Sequence, residues 1–274
     1  MIRPKKRLGQ HFLKDRGIIH DILSLSRLDR SDQVIEIGAG LGSLTIPLAG
    51  LVQQIYAVEK DPQLVEILRE KLSGEGIQNV TVIQEDILRL DFEKMLPISA
   101  GKIKVMGNLP YNISSPVLEK LVKNRDRVGK AILMFQLEFA RRLISPPGSK
   151  VYGAISVLIR YHAHPSPLLE VSKEAFYPKP KVNSMVLELD FQRPYPRRAK
   201  DEDHFKRIVK GAFAQRRKTL LNALKSALPS YEEPAIRAAL RQSDIDPRRR
   251  AETLDMDGFL HLTDALSYLD KKFV

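Results

Sequence analysis

Seven short apolar runs, at 34–37, 55–58, 80–83, 103–106, 131–135, 155–161 and 185–189, constrain this chain more than any other feature. Through the first two thirds they alternate with stretches whose apolar residues recur at helical spacing. Strands that alternate with helices build a parallel sheet covered on both faces, so the expectation is an α/β domain of the doubly wound type. No clear helix separates the last two runs. The stretch between them, 164–181, is rich in proline, which predicts an antiparallel hairpin at the sheet edge. The segment Arg193-Pro194-Tyr195-Pro196-Arg197-Arg198 reads as a linker. Beyond it Phe205, Ile208, Val209, Ala212 and Phe213 keep helical spacing, and no strand pattern returns. Two domains are therefore expected, an α/β domain over 1–193 and a small, basic, all-α domain over 194–274. With 274 residues, 43% of them hydrophobic, the chain can fill both cores.

Polar residues end four of the runs. After the first comes Glu36-Ile37-Gly38-Ala39-Gly40-Leu41-Gly42, where glycines let the backbone approach a ligand at the start of a helix. A dinucleotide fingerprint needs its third glycine at position 43, which is Ser43, so the spacing does not fit NAD. Glu36 is ill placed beside a pyrophosphate. It suits a ligand that carries an ammonium and a sulfonium, such as S-adenosylmethionine. Glu59 ends the second run, placed to accept both hydroxyls of a ribose, and Asp86 follows the third, placed to accept from an adenine amino group. Any one of these carboxylates can be a helix N-cap, but several at successive strand ends point to a ligand site.

After the fourth run comes Asn108-Leu109-Pro110-Tyr111, which combines an amide, a stiff turn and an aromatic face. Two readings stand here. One is an ordinary strand-to-helix turn. The other is a site for a flat heteroaromatic amine: the Asn108 oxygen and a neighbouring carbonyl accept its two hydrogens, and Tyr111 stacks on the ring.

The formal charge of +12 makes a polyanion the usual partner, nucleic acid first and an anionic membrane surface second. The absence of cysteine removes disulfides, thiolate zinc sites and any thiolate nucleophile. His162 and His164 lack further ligands nearby, so no metal is expected. No apolar run approaches the roughly 18 residues of a membrane span, and a cytoplasmic location follows as the expectation.

The N-terminal Lys5-Lys6-Arg7-Leu8-Gly9-Gln10-His11-Phe12-Leu13 joins a basic half, suited to phosphates, to a half able to fold over a cofactor mouth. Together with the glycine loop, Asn108-Leu109-Pro110-Tyr111-Asn112-Ile113-Ser114, Glu174-Ala175-Phe176 with Pro178-Lys179-Pro180-Lys181-Val182, and Phe213-Ala214-Gln215-Arg216-Arg217-Lys218-Thr219, it resembles the ribosomal RNA adenine N6,N6-dimethyltransferase family. The likeness spans nearly the whole chain and is strongest to the bacterial small-subunit branch. It implies a Rossmann-like S-adenosylmethionine-dependent methyltransferase domain with a mostly parallel seven-stranded sheet, and S-adenosylhomocysteine as a product. It assigns cofactor contacts to His11, Leu13, Gly38, Gly40, Glu59, Asp86 and Asn108, with His11 a backbone or edge contact rather than a base. It makes Asn108, Leu109, Pro110, Tyr111 and Phe176 the catalytic group, with Tyr111 and Phe176 sandwiching the target adenine.

RNA phosphate contacts are expected at Lys5, Lys6, Arg7, Arg216, Arg217, Lys218, Arg248 and Arg249, beside Arg197, Arg198 and Arg250. The implied substrate is a pair of adjacent adenosines in the 3'-terminal hairpin of small-subunit rRNA within the pre-30S particle, and the enzyme is expected to work as a monomer. Two rivals share the motifs: a large-subunit adenine methyltransferase of the antibiotic-resistance type, and a ribosome-assembly factor that kept the fold without turnover.

Overall fold

The structure, a computed structural model, describes residues 4–5, 8–95 and 101–270. The chain divides into two compact units, one containing the residues up to Ala140 and His164–Gln192, the other Arg141–Ala163 and the residues from Arg193 onward. This differs from a single cut at 193/194. The reason lies in the apolar side chains of 141–163: Tyr152, Val157 and Tyr161 share a buried cluster with Phe205, Ile208 and Phe259 of the C-terminal helices.

In the first unit, β2 (Gln33–Ile37), β3 (Gln54–Glu59), β4 (Val80–Gln84), β5 (Ile103–Asn108) and β6 (Val128–Gln136) pair in parallel. The sheet is closed on one side by β7 (His164–Val171) and β9 (Ser184–Asp190), giving the order β4-β3-β2-β5-β6-β9-β7, with β9 antiparallel to both neighbours. The chain steps outward from β2 to β4, then returns to the other flank of β2 with β5. That reversal opens a crevice between the carboxyl ends of β2 and β5, where sheets of this kind bind ligands. The central strands are buried on both faces, which explains their unbroken apolar runs; in β6 every residue from Ala131 to Phe135 is buried.

The helices of this unit are α1 (Arg16–Leu25), α2 (Thr45–Ala49), α3 (Pro62–Gly74), α4 (Phe92–Met95), α5 (Ser114–Lys123) and the start of α6 (Leu137–Ile144). α3 begins at Asp61, whose side chain accepts the Gln63 N–H, with Pro62 in the first turn. It buries Leu64, Val65, Leu68 and Leu72, a stripe at helical spacing, each worth roughly 1.5–3 kcal/mol of burial. A separate two-stranded ladder joins β1 (Phe12–Leu13) to β8 (Phe176–Tyr177).

The run at 155–161 is a helix, not the expected strand. It lies in α7 (Ala154–His162), which starts at Gly153, whose N–H donates to Ser156 Oγ. A short apolar run does not distinguish a strand from a buried helix; here Val157 and Tyr161, four apart, both reach a helical core. The hairpin partner of β9 is the Pro-rich β7 instead. Pro165 and Pro167 are two residues apart on the edge strand, so their missing N–H groups fall on the open side of the ladder. The second unit adds α8 (Glu202–Phe213), α9 (Leu220–Ala227), α10 (Glu233–Gln242) and α11 (Met256–Asp270), capped at Asp201 and Thr219 by side chains that accept N–H bonds.

Candidate active site

A single cavity at the carboxyl ends of β2 to β5 gathers Gly38, Gly40, Glu59, Asp86, Asn108 and Tyr111, together with His11 and Leu13 from the N-terminal segment. Gly38 and Gly40 have φ of +74° and +57°, a region costly for other residues. The loop is fixed to β3 where the Gly38 N–H donates to the Val58 carbonyl at 2.8 Å. Phe12 packs on Gly40, whose missing Cβ would stand 3.5 Å from the ring.

The Glu59 carboxylate is 8% exposed and accepts the Gly40 N–H at 2.9 Å and the Asp61 N–H at 2.8 Å, one on each oxygen. Even with a third N–H, from Lys60, the two oxygens keep a lone pair to spare. Burial raises its pKa above the ordinary value, opposed by the N–H bonds from Asp61, Gly40 and Lys60. Glu36 is buried and accepts from Thr45 Oγ1 at 2.6 Å. Its pKa is pushed up to about 8, mainly by burial, against the Thr45 hydrogen bond and with the Glu59 charge adding to the rise. Around neutral pH the acid of the glycine loop is thus largely protonated until a cation sits beside it. Asp86 behaves oppositely. Burial raises its pKa, but the Lys60 ammonium at 2.8 Å and the Leu88 N–H at 3.0 Å hold it below the usual value.

Asn108 is the last residue of β5, and its Nδ2 donates to the backbone carbonyl of His11 at 2.8 Å. That leaves Oδ1 as an acceptor. Leu109 is buried, and Pro110 starts a 3-10 turn in which its carbonyl accepts the Ile113 N–H at 3.0 Å, so one lone pair remains there. The Tyr111 hydroxyl lies 3.1 Å from Ser184 Oγ; burial raises its pKa and the Ser184 bond opposes the rise. Its ring stacks on His11 at 5.8 Å between centroids. The His11 Nδ1–H donates to the Pro178 carbonyl at 2.6 Å, so this ring is engaged on a backbone oxygen.

Phe176 is not in the cavity. Its ring is 2% exposed and packs in the apolar core with Leu13, Ala175 and Val186, because the β1–β8 ladder turns it inward. Tyr177, the next residue, is 56% exposed. The aromatic group stacked on Tyr111 is therefore His11. Sequence reasoning also missed Asp61, whose carboxylate binds Lys5 and Gln10; the Asp61-Pro62 pair signals a helix start but not this second task.

The basic positions fare differently. Lys6 and Arg7 lie outside the described residues. Lys5 is paired with Asp61 at 2.6 Å. In the second unit Arg197 bonds Asp264, and Arg198 lies over the Tyr161 ring at 4.0 Å. Arg216 donates to the Lys150 and Tyr152 carbonyls, Arg248 pairs with Asp246, and Arg249 bonds Thr253. Arg217 and Lys218 have no acidic partner among the described residues. The stretch of Arg216, Arg217 and Lys218 and that of Arg248 and Arg249 are brought together where the Leu220 N–H donates to the Arg249 carbonyl at 2.7 Å. Among the described residues no helix is long and apolar enough to cross a membrane, and no group of three His, Asp or Glu side chains is arranged to hold a metal ion.

The family model for ribosomal RNA adenine dimethylase matches residues 1–266. A ribosomal RNA small subunit methyltransferase A from Geobacter sulfurreducens is 43% identical over 267 residues, 97% of this chain and 96% of that protein. One of the same description from Desulforapulum autotrophicum is 41% identical over 262 residues, 96% of this chain and 92% of its own. A dimethyladenosine transferase from Plasmodium falciparum, known from its crystal structure, superposes with a TM-score of 0.77 at 26% identity, covering 96% of this chain and 98% of that one.

Proposed function

The chain belongs to the ribosomal RNA adenine dimethylase family, and from that premise we propose that the cavity at the ends of β2 to β5 holds the methyl donor while Asn108-Leu109-Pro110-Tyr111 receives the adenine amine. The enzyme is an S-adenosylmethionine-dependent dimethyltransferase acting on adenine in small-subunit rRNA. The family places the chain in the small-subunit branch, which disfavours the large-subunit rival.

The residues present suit that cofactor. Glu59 keeps a lone pair for a ribose hydroxyl, Asp86 is an ionised acceptor for an adenine amino group, and the glycine loop leaves space for close backbone approach. Glu36 is a neutral acid that a nearby ammonium or sulfonium would convert to a counter-charge. S-adenosylmethionine supplies an activated methyl group on sulfur.

The chain's own task is to prepare the amine. An adenine N6 lone pair is delocalised into the ring, so the nitrogen is a poor nucleophile until it pyramidalises. Acceptors for both N–H groups, Asn108 Oδ1 and the Pro110 carbonyl, favour that geometry. Tyr111 holds the base by stacking, its ring fixed by His11 and Ser184. Alignment, rather than a strong base, is what the protein must provide. The loop bearing Arg217 and Lys218, beside the one bearing Arg248 and Arg249, is the proposed phosphate contact. The fuller reading is a monomer acting in the cytoplasm, without a metal, on two adjacent adenosines of the 3'-terminal hairpin within the assembling small subunit.

The observation that carries the site assignment is the Asn108 amide, held by the His11 carbonyl at the cavity with its oxygen left to accept. The test incubates the protein with labelled S-adenosylmethionine and small subunits from a strain lacking the modification, followed by digestion and mass spectrometry. N6,N6-dimethyladenosine should appear with the native chain. With Asn108→Ala it should be lost while RNA binding changes little; full turnover in that variant removes Asn108 as the amine acceptor.

A further inference from the structure

Asp61 is 3% exposed and touches no part of the proposed reacting centre, yet its carboxylate organises the segment that does. Oδ1 accepts from Lys5 Nζ at 2.6 Å and from the Gln63 N–H at 3.1 Å, and Oδ2 accepts from Gln10 Nε2 at 3.1 Å. The Lys5 N–H donates to Gln10 Oε1 at 2.7 Å, which closes a ring of hydrogen bonds through Lys5, Gln10 and Asp61. One residue beyond Gln10, the His11 carbonyl accepts from Asn108 Nδ2. We propose that Asp61 is a positioning residue for methyl transfer, acting through Lys5, Gln10 and the His11 carbonyl on Asn108; this rests on the reading of Asn108 as amine acceptor.

The physical reason is the symmetry of an amide. The terminal torsion of asparagine is broad and roughly two-fold, so its oxygen and nitrogen exchange places at small cost. In the flipped state Asn108 would present a donor to an amine that is itself a donor. The His11 carbonyl can only accept, so it binds the NH2 side and fixes Oδ1 as the free end. That lock works only while the His11 carbonyl stays in place. On one side it is held by the β1–β8 ladder and by the His11 ring on Pro178, on the other by the fastening of Gln10 and Lys5 to Asp61. Asp61 is itself held by Glu59, whose Oε1 accepts its N–H, so the fastening is tied to a proposed cofactor contact.

The test leaves α3 and its cap intact by changing the other ends of the contacts, with Lys5→Met, Gln10→Leu and the two combined. Three quantities are read: kcat and KM on small subunits, the thermal midpoint, and hydrogen exchange of amides 8–13. The combined variant should lose about 10- to 100-fold in kcat, the scale expected for misplacement by up to an ångström. Its exchange at 8–13 should accelerate and kcat should fall by a larger factor than KM for the subunit rises, with the thermal midpoint, lowered by the unpaired buried carboxylate, still above the assay temperature. Asp61→Asn, whose single amide oxygen can keep the Gln63 cap bond but then turns its NH2 toward Gln10, should lose kcat as Asp61→Ala does while keeping more of the thermal midpoint. Faster exchange at 8–13 with native kcat overturns the inference, as does a kcat loss with native exchange. The two readings fail separately: full turnover in Asn108→Ala defeats the assignment of Asn108, whereas loss there with native kcat in the combined variant defeats the role of Asp61 alone.

Discussion

Gly107 stands where the two halves of the site meet, and replacing it with alanine should damage both. A Cβ built there lies 2.6 Å from the Ile37 carbonyl oxygen and 3.2 Å from the Ile37 Cβ. The obstacle is the backbone of β2, so no rotamer change relieves it. The Ile37 carbonyl leads directly into Gly38, and Gly107 directly into Asn108, so separating the strands moves the cofactor loop from the amine acceptor. Overpacking of this kind typically costs about 1–3 kcal/mol, offset by roughly 0.4–1 kcal/mol because alanine restricts the unfolded chain. The net loss of up to about 2.6 kcal/mol corresponds to a fall of up to roughly 10 °C in thermal midpoint for a unit of this size. Turnover should fall further than stability suggests, by about 10-fold or more, since displacement at a reacting centre is costly. Gly101→Ala is the matched control: like Gly107 it has no positive φ, but no atom lies within 4 Å of a Cβ there, so it reads the effect of alanine without the clash. Circular dichroism melts and single-turnover methylation measure the two effects. Native kcat and an unchanged midpoint in Gly107→Ala would refute the close-approach argument.

Two further outcomes follow from the charges. The Glu36 carboxyl is pushed up to about 8 in the folded chain against an ordinary value of 4.5 in the unfolded one, so the folded chain keeps a proton that the unfolded chain loses between those values. Its contribution to stability is therefore complete below about pH 4.5 and declines as pH rises toward 8, by up to about 1.4 kcal/mol per unit. Melts of Glu36→Gln from pH 5 to 8.5 should show a flatter decline than the native chain, and parallel curves would count against the buried acid. Replacing Arg217 and Lys218 with alanine should weaken RNA binding and reduce the slope of log affinity against log salt by roughly 1.4–1.8, the value for two lost phosphate contacts. An unchanged slope would place the RNA elsewhere.

Much of this architecture was legible because it rests on local rules. Parallel strands buried on both faces must be continuous apolar runs, and 34–37, 55–58, 80–83, 103–106 and 131–135 all became strands. Their polar ends were legible because the topology brings strand ends together. The run at 155–161 failed because eight or fewer apolar residues serve a buried helix equally well, and what decided it was a distant core containing Phe205 and Phe259. The inward placing of Phe176 was hidden for a related reason: its ladder pairing is with Leu13, and no local pattern announces a two-residue pairing. His11 was expected as a backbone or edge contact, but that its carbonyl meets Asn108, 97 residues further on, no local pattern could tell.

The ladder of β1 with β8 also sets a timetable. Leu13 faces Phe176, and the His11 ring reaches Pro178, so the wall over the cavity has both its edges only once those late residues exist. During synthesis the Gln10-His11-Phe12-Leu13 segment is made before the residues it pairs with and waits for most of the sheet. The entropy of closing so long a loop grows only logarithmically with its length, so the wait adds little to the final stability. What it changes is order: the glycine loop, Glu59 and Asp86 can assemble early, while the polarity of Asn108 is fixed late. The arrangement proposed for methyl transfer thus requires residues 11–13 to be fastened by 176–178, which are made later.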